Sequence, residues 1–322
     1  MNLTAHINLQ SKSSRGINKM YSDLFPTLRL ISQSHSLSQN GYDVAYLIRM
    51  KNEEKTLIDT INSIAYQTTS RRGIIIFLDS GSTDRSLEIA ASSPIPHKIY
   101  SISPSEFQFG KTCNLVAELA NAKYFMFLSG HVILNHKSMI DSSLDYMDEN
   151  TGVAAMAFRQ VPNANTGFNS YENMYLKRTF PITADKIVDL EKAGAFSNAA
   201  SLIRASVWKD CSFEHVIASE DQIWAAAAAL RGHAIVYNSQ FDVAHSHDET
   251  PAAVFNRVRI NKIARFGQRR QPARFLKTFA GIFIAISLTS NGRKMKEALV
   301  YAFAHASAYM FEKPMFLRMM TK

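Results

Sequence analysis

The residues able to do chemistry are few and lie in short clusters. His245 and His247 alternate, so on an extended chain they face one side, as two metal ligands or two diphosphate donors would. His131 closes the run Phe127-Leu128-Ser129-Gly130-His131, where an imidazole either caps a strand end or ligates a cation. As a ligand it suits Mn²⁺ and is a poor partner for Mg²⁺, which prefers oxygen. Lys111, in a Gly-containing turn after Phe109, offers a point charge to a diphosphate. Asp79 follows the apolar run Ile74–Leu78 and precedes Ser80-Gly81-Ser82-Thr83-Asp84. A carboxylate there sits where open α/β sheets place ligand contacts, and a capped turn with no ligand would carry the same acid. Glu220 and Asp221 open a helical stretch, and the helix dipole alone accounts for two acids in a first turn.

The elements that must position these residues follow from periodicity. Val44–Arg49 is a short apolar strand, followed by the polar turn Lys51-Asn52-Glu53-Glu54 and a helical stripe of Leu57, Ile58, Ile61, Ile64 and Ala65. Ile74–Leu78 reads as a strand buried on both faces. Ser82 or Thr83 caps the next helix, which Ser86–Ala91 continues until Pro94 and Pro96 break it. Lys98–Tyr100 is a third strand, Ser103–Lys111 a loop, Asn114–Ala122 a helix and Tyr124–Leu128 another buried strand. Such alternation predicts an α/β fold with a mostly parallel sheet and helices on both faces. The second half is less regular. It reads as a helix at Lys137–Met147, a strand at Val153–Phe158 and a polar loop at Asn163–Asn173 leading into a segment rich in Tyr, Lys and Arg. A strand at Ala199–Ile203, a helix at Glu220–Leu230 and a short strand at Ile235–Tyr237 follow, and everything after Pro251 is helical in pattern.

The expected organisation is a loosely ordered lead-in over 1–42, rich in Ser, Asn and Gln, then a catalytic domain over 43–250 and a basic, apolar helical region over 251–322. The 322 residues, 46% apolar and 20% charged, suffice for one generous core. The two cysteines, Cys113 and Cys211, argue for a reducing compartment and against a disulfide framework or a thiolate metal site. The net charge is +9, and Arg257, Arg259, Lys262, Arg265, Arg269, Arg270, Arg274 and Lys277 follow one another with no acid between them. Such a run faces something negative: membrane phosphates, a nucleic acid or a charged donor. No apolar signal core opens the sequence, so secretion is not expected. The stretch Thr278–Ser290 is too short to cross a membrane and is expected to lie buried or in the interface. No G-x-G-x-x-G follows the first strand, which argues against a Rossmann dehydrogenase.

Taken together, Arg49-Met50-Lys51-Asn52-Glu53-Glu54, Leu78–Asp84, Phe109–Asn114, Phe127–His131, Ser219–Ala225 and His245-Ser246-His247 resemble the family 2 glycosyltransferases. These are inverting enzymes with the GT-A nucleotide-sugar fold, and the match runs from about Val44 to His247. The flavour is that of bacterial enzymes building capsule, O-antigen or exopolysaccharide. The resemblance implies that Asp79 meets a uracil or thymine base, that Arg49, Asn52, Glu53, Lys111 and Ser129 line the donor pocket, and that Asp221, with Glu220, supplies the general base. It further implies a divalent cation on the donor diphosphate, near His131 and the pair His245 and His247. The family's Asp-X-Asp is here Ser129-Gly130-His131, so Mn²⁺ is expected rather than Mg²⁺, or a cationic imidazole and Lys111 take over part of the neutralisation. The implied partners are a nucleotide-sugar donor, a glycan or lipid-linked glycan acceptor and an anionic membrane surface, with the protein peripheral on the cytoplasmic face of the membrane.

Two other classes compete. A family member without activity, serving as a scaffold, would also lack the acidic motif. A nucleic-acid-binding protein would use the basic run, yet only Phe255, Phe266 and Phe275 interleave with its charges, so no nucleic-acid partner is expected.

Overall fold

The computed structural model describes residues 19–35, 37–289 and 294–314. The chain enters through α1 (Lys19–Leu24) and β1 (Arg29–Gln33). β2 (Tyr42–Met50), α2 (Leu57–Ala65), β3 (Gly73–Asp79), α3 (Ser86–Ala91), β4 (His97–Ser101), α4 (Phe109–Glu118) and β5 (Ala122–Ser129) then alternate. Next come β6 (Ile133–Leu134), α5 (Met139–Glu149), β7 (Val153–Val161), α6 (Ser170–Thr179), β8 (Ile187–Asp189) and β9 (Ala200–Arg204). They lead to α7 (Ala205–Asp210), α8 (Glu220–Leu230) and β10 (Ala234–Ala244), and α9 (Pro251–Phe266), α10 (Pro272–Thr289) and α11 (Met295–Ser307) follow.

The ten strands of the described residues share one sheet in the order β1-β4-β3-β2-β5-β9-β7-β10-β6, with β8 on β10. The central block β4-β3-β2-β5 is parallel, as is the pair β7-β10. β9 runs antiparallel between β5 and β7 and joins the two blocks. The central strands are apolar on both faces because both are covered. Leu47, Ile76 and Phe127 pack with Trp224 on one side, and Ile48, Phe77 and Leu128 with Leu144 on the other. Each such side chain removed from water contributes ~1.5–3 kcal/mol. A third cluster joins α6, α9, α10 and α11 through Tyr171, Phe255, Ile282, Ile286 and Ala302.

The fold departs from the sequence expectations at identifiable places. Part of the lead-in is ordered: Tyr21 and Phe25 are buried in the core, and β1 pairs antiparallel with the outer strand β4. Residues 1–18 of that segment, and Ser290 of the apolar stretch, lie outside the described residues. α4 starts at Phe109 rather than Asn114, so Gly110 and Lys111 sit in its first turn and not in a loop. Gly110 permits this: a Cβ there would lie 1.8 Å from the Glu214 carbonyl oxygen. α4 also ends before Ala122, which already heads β5. β10 is far longer than the expected Ile235–Tyr237, its pairing with β7 shifting between Asn238 and Asp242. The short elements β6, β8 and α7, too brief to carry a period, went unpredicted, as did α6.

Candidate active site

Sheet register builds the site. Met50 lies opposite Asp79 and Arg49 opposite Ser129, so β2, β3 and β5 deliver their last residues to one edge. Two of the cavities that open there share a wall. The larger, about 540 Å³, is lined by Arg49, Ser129, His131, Glu220, Asp221, His245, His247 and Arg257. The smaller, about 310 Å³, shares Arg49, Ser129 and His131 with it and adds Ser80, Pro104 and Phe107.

Three imidazoles meet at the boundary. His131 stacks on His245 with centroids 5.1 Å apart, and His247 sits edge-on to both, at 5.0 Å and 4.8 Å. One ring nitrogen from each lies within 4.8 Å of the other two. Second partners orient the rings. His131 Nδ1 is 3.0 Å from Glu53 Oε1, and His245 Nδ1 is 2.9 Å from Gln160 Oε1. Both oxygens accept, so each Nδ1 donates and the ring is oriented by that bond. His131 Nε2 is buried with no hydrogen-bond partner. Burial and the neighbouring rings push His245 well below its ordinary pKa and His247 down to about 4. Two imidazoles held neutral beside a third with an orphaned buried nitrogen fit a divalent cation. Gly130 makes room for the arrangement, since a Cβ there would come within 2.9 Å of Glu53 Cγ.

The acids divide their tasks. Glu220 Oε1 lies 3.5 Å from Arg49 Nη2 and takes a contact from the Cys113 thiol at 3.8 Å. Asp221 accepts the Gln222 N–H at 2.7 Å and the Asn198 N–H at 3.2 Å. Burial, and then the charge of Glu220, raise the Asp221 carboxyl to about 7 against the pull of those N–H groups and of Arg49. Ser219 introduces the pair at φ +59°, a left-handed conformation rare outside glycine.

Other expected site residues act at one remove. Asp79 is buried and accepts the Gly81 and Ser82 N–H groups, each at 3.0 Å, and the Ser101 hydroxyl at 3.3 Å; it lines neither cavity. Asn52, at φ +56°, accepts the Thr83 N–H at 2.8 Å and stitches the loop after β2 to the loop after β3. Glu53 meets the smaller cavity and holds His131. Lys111 lines neither cavity. Sequence reasoning missed Gln160 and Asn198, neutral side chains without a motif. It counted Arg257 in the basic run without separating it from the other cations; Arg257 lines the larger cavity, gripped by Glu249 at 2.6 Å.

Residues 47–211 match the model of the family described as Glycosyl transferase family 2. The chain belongs to this family. Among solved structures, TarS of S. aureus resembles it at 16% identity and TM-score 0.53, over 83% of this chain and 55% of that one. The chain thus spans about half of that TarS chain. TarS 1–349 in complex with UDP-GlcNAc matches at 17% identity and TM-score 0.52, over 83% of this chain and 89% of that one. The mannosyltransferase PcManGT of Pyrobaculum calidifontis, in complex with GDP-Man and Mn²⁺, matches at 14% identity and TM-score 0.54, covering 88% and 80%. No curated protein matches the sequence. The family 2 match shows the family, and the structural likenesses show the GT-A fold.

Proposed function

We propose that the protein transfers a sugar from a nucleotide-sugar donor to a hydroxyl of a glycan or lipid-linked glycan with inversion, in bacterial surface-polysaccharide synthesis, working peripherally on the cytoplasmic face of the membrane. The observation that carries this reading is the shared wall of the two cavities. Asp221 opens into one, Ser80 and Phe107 into the other, and Ser129 and His131 face both. The smaller cavity suits the nucleoside, with Arg49, Asn52, Glu53 and Asp79 shaping its wall and loops. Lys111, in the first turn of α4 two residues after Phe109, which lines both cavities, is the further cation proposed for the donor side.

In the transfer, Asp221 takes the proton of the acceptor hydroxyl. The acceptor oxygen bonds to the anomeric carbon as the bond from that carbon to the diphosphate oxygen breaks. The electron pair leaves with the nucleoside diphosphate on the opposite side, and the anomeric configuration inverts. Glu220, tied to Arg49, positions Asp221 and raises its basicity. His131, His245 and His247 would hold a divalent cation, Mn²⁺ in preference to Mg²⁺, whose chemistry is to neutralise the donor diphosphate. Arg257 faces the same cavity as a second positive charge.

The proposed division into 43–250 and 251–322 draws support from the third hydrophobic cluster, where α9 to α11 pack together and onto α6 of the first part. The nucleic-acid reading loses support because Arg257 is ion-paired inside the cavity and Lys262 is buried. Release of nucleoside diphosphate from UDP-, GDP- or dTDP-sugars in the presence of Mn²⁺ tests the activity. A chain that binds these donors yet never turns one over would be the inactive scaffold.

A further inference from the structure

A third cavity, about 470 Å³, lies between α6, α10 and α11, away from the reacting groups. Tyr171, Tyr175 and Tyr309 line it with three cationic side chains, Arg178, Arg274 and Lys277, and no acid is among its lining residues. Arg178 donates to the Gly281 carbonyl at 3.1 Å and bridges α6 to α10. The Arg274 guanidinium rests over Phe266 at 4.5 Å and Tyr309 at 5.6 Å. Stacking of this kind fixes the plane while leaving the N–H fork open to a phosphate. Among the described residues, none of the three cations has an acidic partner.

The cavity adjoins an apolar stripe. Leu276, Ala280, Ile284 and Leu288 recur every fourth residue on the outer face of α10, and Leu276, Ile284 and Leu288 are 65%, 54% and 72% exposed. The same helix buries Ile282 and Ile286 against the third hydrophobic cluster, so the stripe is its second apolar face. Arg269 and Arg270 stand exposed just before the helix. No helix of the described residues is long and apolar enough to cross a membrane. A cationic cavity beside a solvent-facing apolar stripe matches a ligand with an anionic head and a hydrocarbon tail.

We infer that this cavity and stripe form a docking site for anionic membrane lipid, the phosphate head entering between Arg178, Arg274 and Lys277 while α10 lies along the surface with its stripe among the acyl chains. Tyr175 and Thr179 line both this cavity and the larger catalytic one, so docking would hold the acceptor side of the catalytic cavity toward the membrane. The inference rests on the membrane part of the proposed function and is independent of the donor chemistry.

Flotation of the full chain with vesicles of phosphatidylcholine, with and without phosphatidylglycerol, tests it. Binding is expected only with the anionic lipid and should weaken with salt. Arg274→Glu with Lys277→Glu should lower the partition at least ~10-fold, and so should Leu276→Ser with Leu288→Ser. Both pairs change exposed residues, and thermal melting with bound donor checks that each variant folds and keeps its nucleotide site. If donor binding survives while wild-type protein ignores anionic vesicles, this inference falls together with the membrane part of the proposed function, and the sugar-transfer part stands. A dimer by analytical ultracentrifugation that the stripe variant dissolves, without vesicle binding, overturns it in favour of a second copy. Stabilisation by inorganic phosphate alone, equal in wild type and stripe variant and again without vesicle binding, overturns it in favour of a free anion.

Discussion

Glu53 and His131 are held 3.0 Å apart although 78 positions separate them in sequence, and the far nitrogen of the ring, beside His245 and His247, is buried with no hydrogen-bond partner. Burial opposes the Glu53 charge, but its bonds to His131 and Thr56 outweigh burial and hold its carboxyl below the usual range. This pair ties the loop after β2 to the end of β5, and the imidazole cluster depends on it.

Glu53→Ala should therefore release His131 and weaken divalent-cation binding by ~10–100-fold, as loss of an outer-shell partner typically does. Calorimetric titration with Mn²⁺ checks this without any turnover. An unchanged affinity would separate Glu53 from the cation site.

Asp221→Asn should lower kcat by ~10²–10⁴-fold and leave donor binding nearly intact, because the carboxylate acts on the acceptor proton alone. Wild-type turnover in this variant would move the base to Glu220. The raised pKa adds a pH signature. Activity should fall as pH drops through about 7, where Asp221 takes up its proton beside Glu220 and Arg49.

The same group shapes stability. An unfolded Asp titrates near ~3.9, so between there and about 7 the folded chain binds the extra proton. Stability from this group is complete at low pH and is lost as pH rises through about 7. Asp221→Asn should then raise the melting temperature at pH 8 relative to wild type. Equal melting temperatures at that pH would contradict the buried-charge reading.

Asp79→Ala should destabilise the fold by about 1–3 kcal/mol, since the Gly81 and Ser82 N–H groups lose their acceptor. Donor affinity should fall with it, through the displaced loop. Urea denaturation separates the two effects. A variant of wild-type stability with weak donor binding would show that Asp79 acts on the nucleobase alone.

The strands were legible because a buried parallel strand reads as an unbroken apolar run. Ile74–Leu78 and Tyr124–Leu128 therefore announced the positions of Asp79 and Ser129. The pair His245 and His247 was legible by alternation, though both residues lie just past the end of β10. What the sequence hid was decided by contacts distant along the chain. α4 starts early because Gly110 fits against Glu214, and that shift removes Lys111 from the loop it was expected to occupy. α6 is polar by composition and became a helix because Tyr171 and Met174 bury against α9 to α11. Nothing in the basic run set Arg257 apart; its pairing with Glu249 inside the cavity does.

The most direct test is a thermal-shift series of the full chain with UDP-, GDP- and dTDP-sugars, with Mn²⁺, with Mg²⁺ and in EDTA, run beside His131→Ala. Ligand binding to the folded state raises the midpoint by mass action. One donor class should raise the melting temperature with Mn²⁺, much less with Mg²⁺ and not in EDTA, and His131→Ala should lose the Mn²⁺-dependent part. A donor-induced shift that is the same in EDTA and unaffected by His131→Ala would contradict a cation held by His131, His245 and His247.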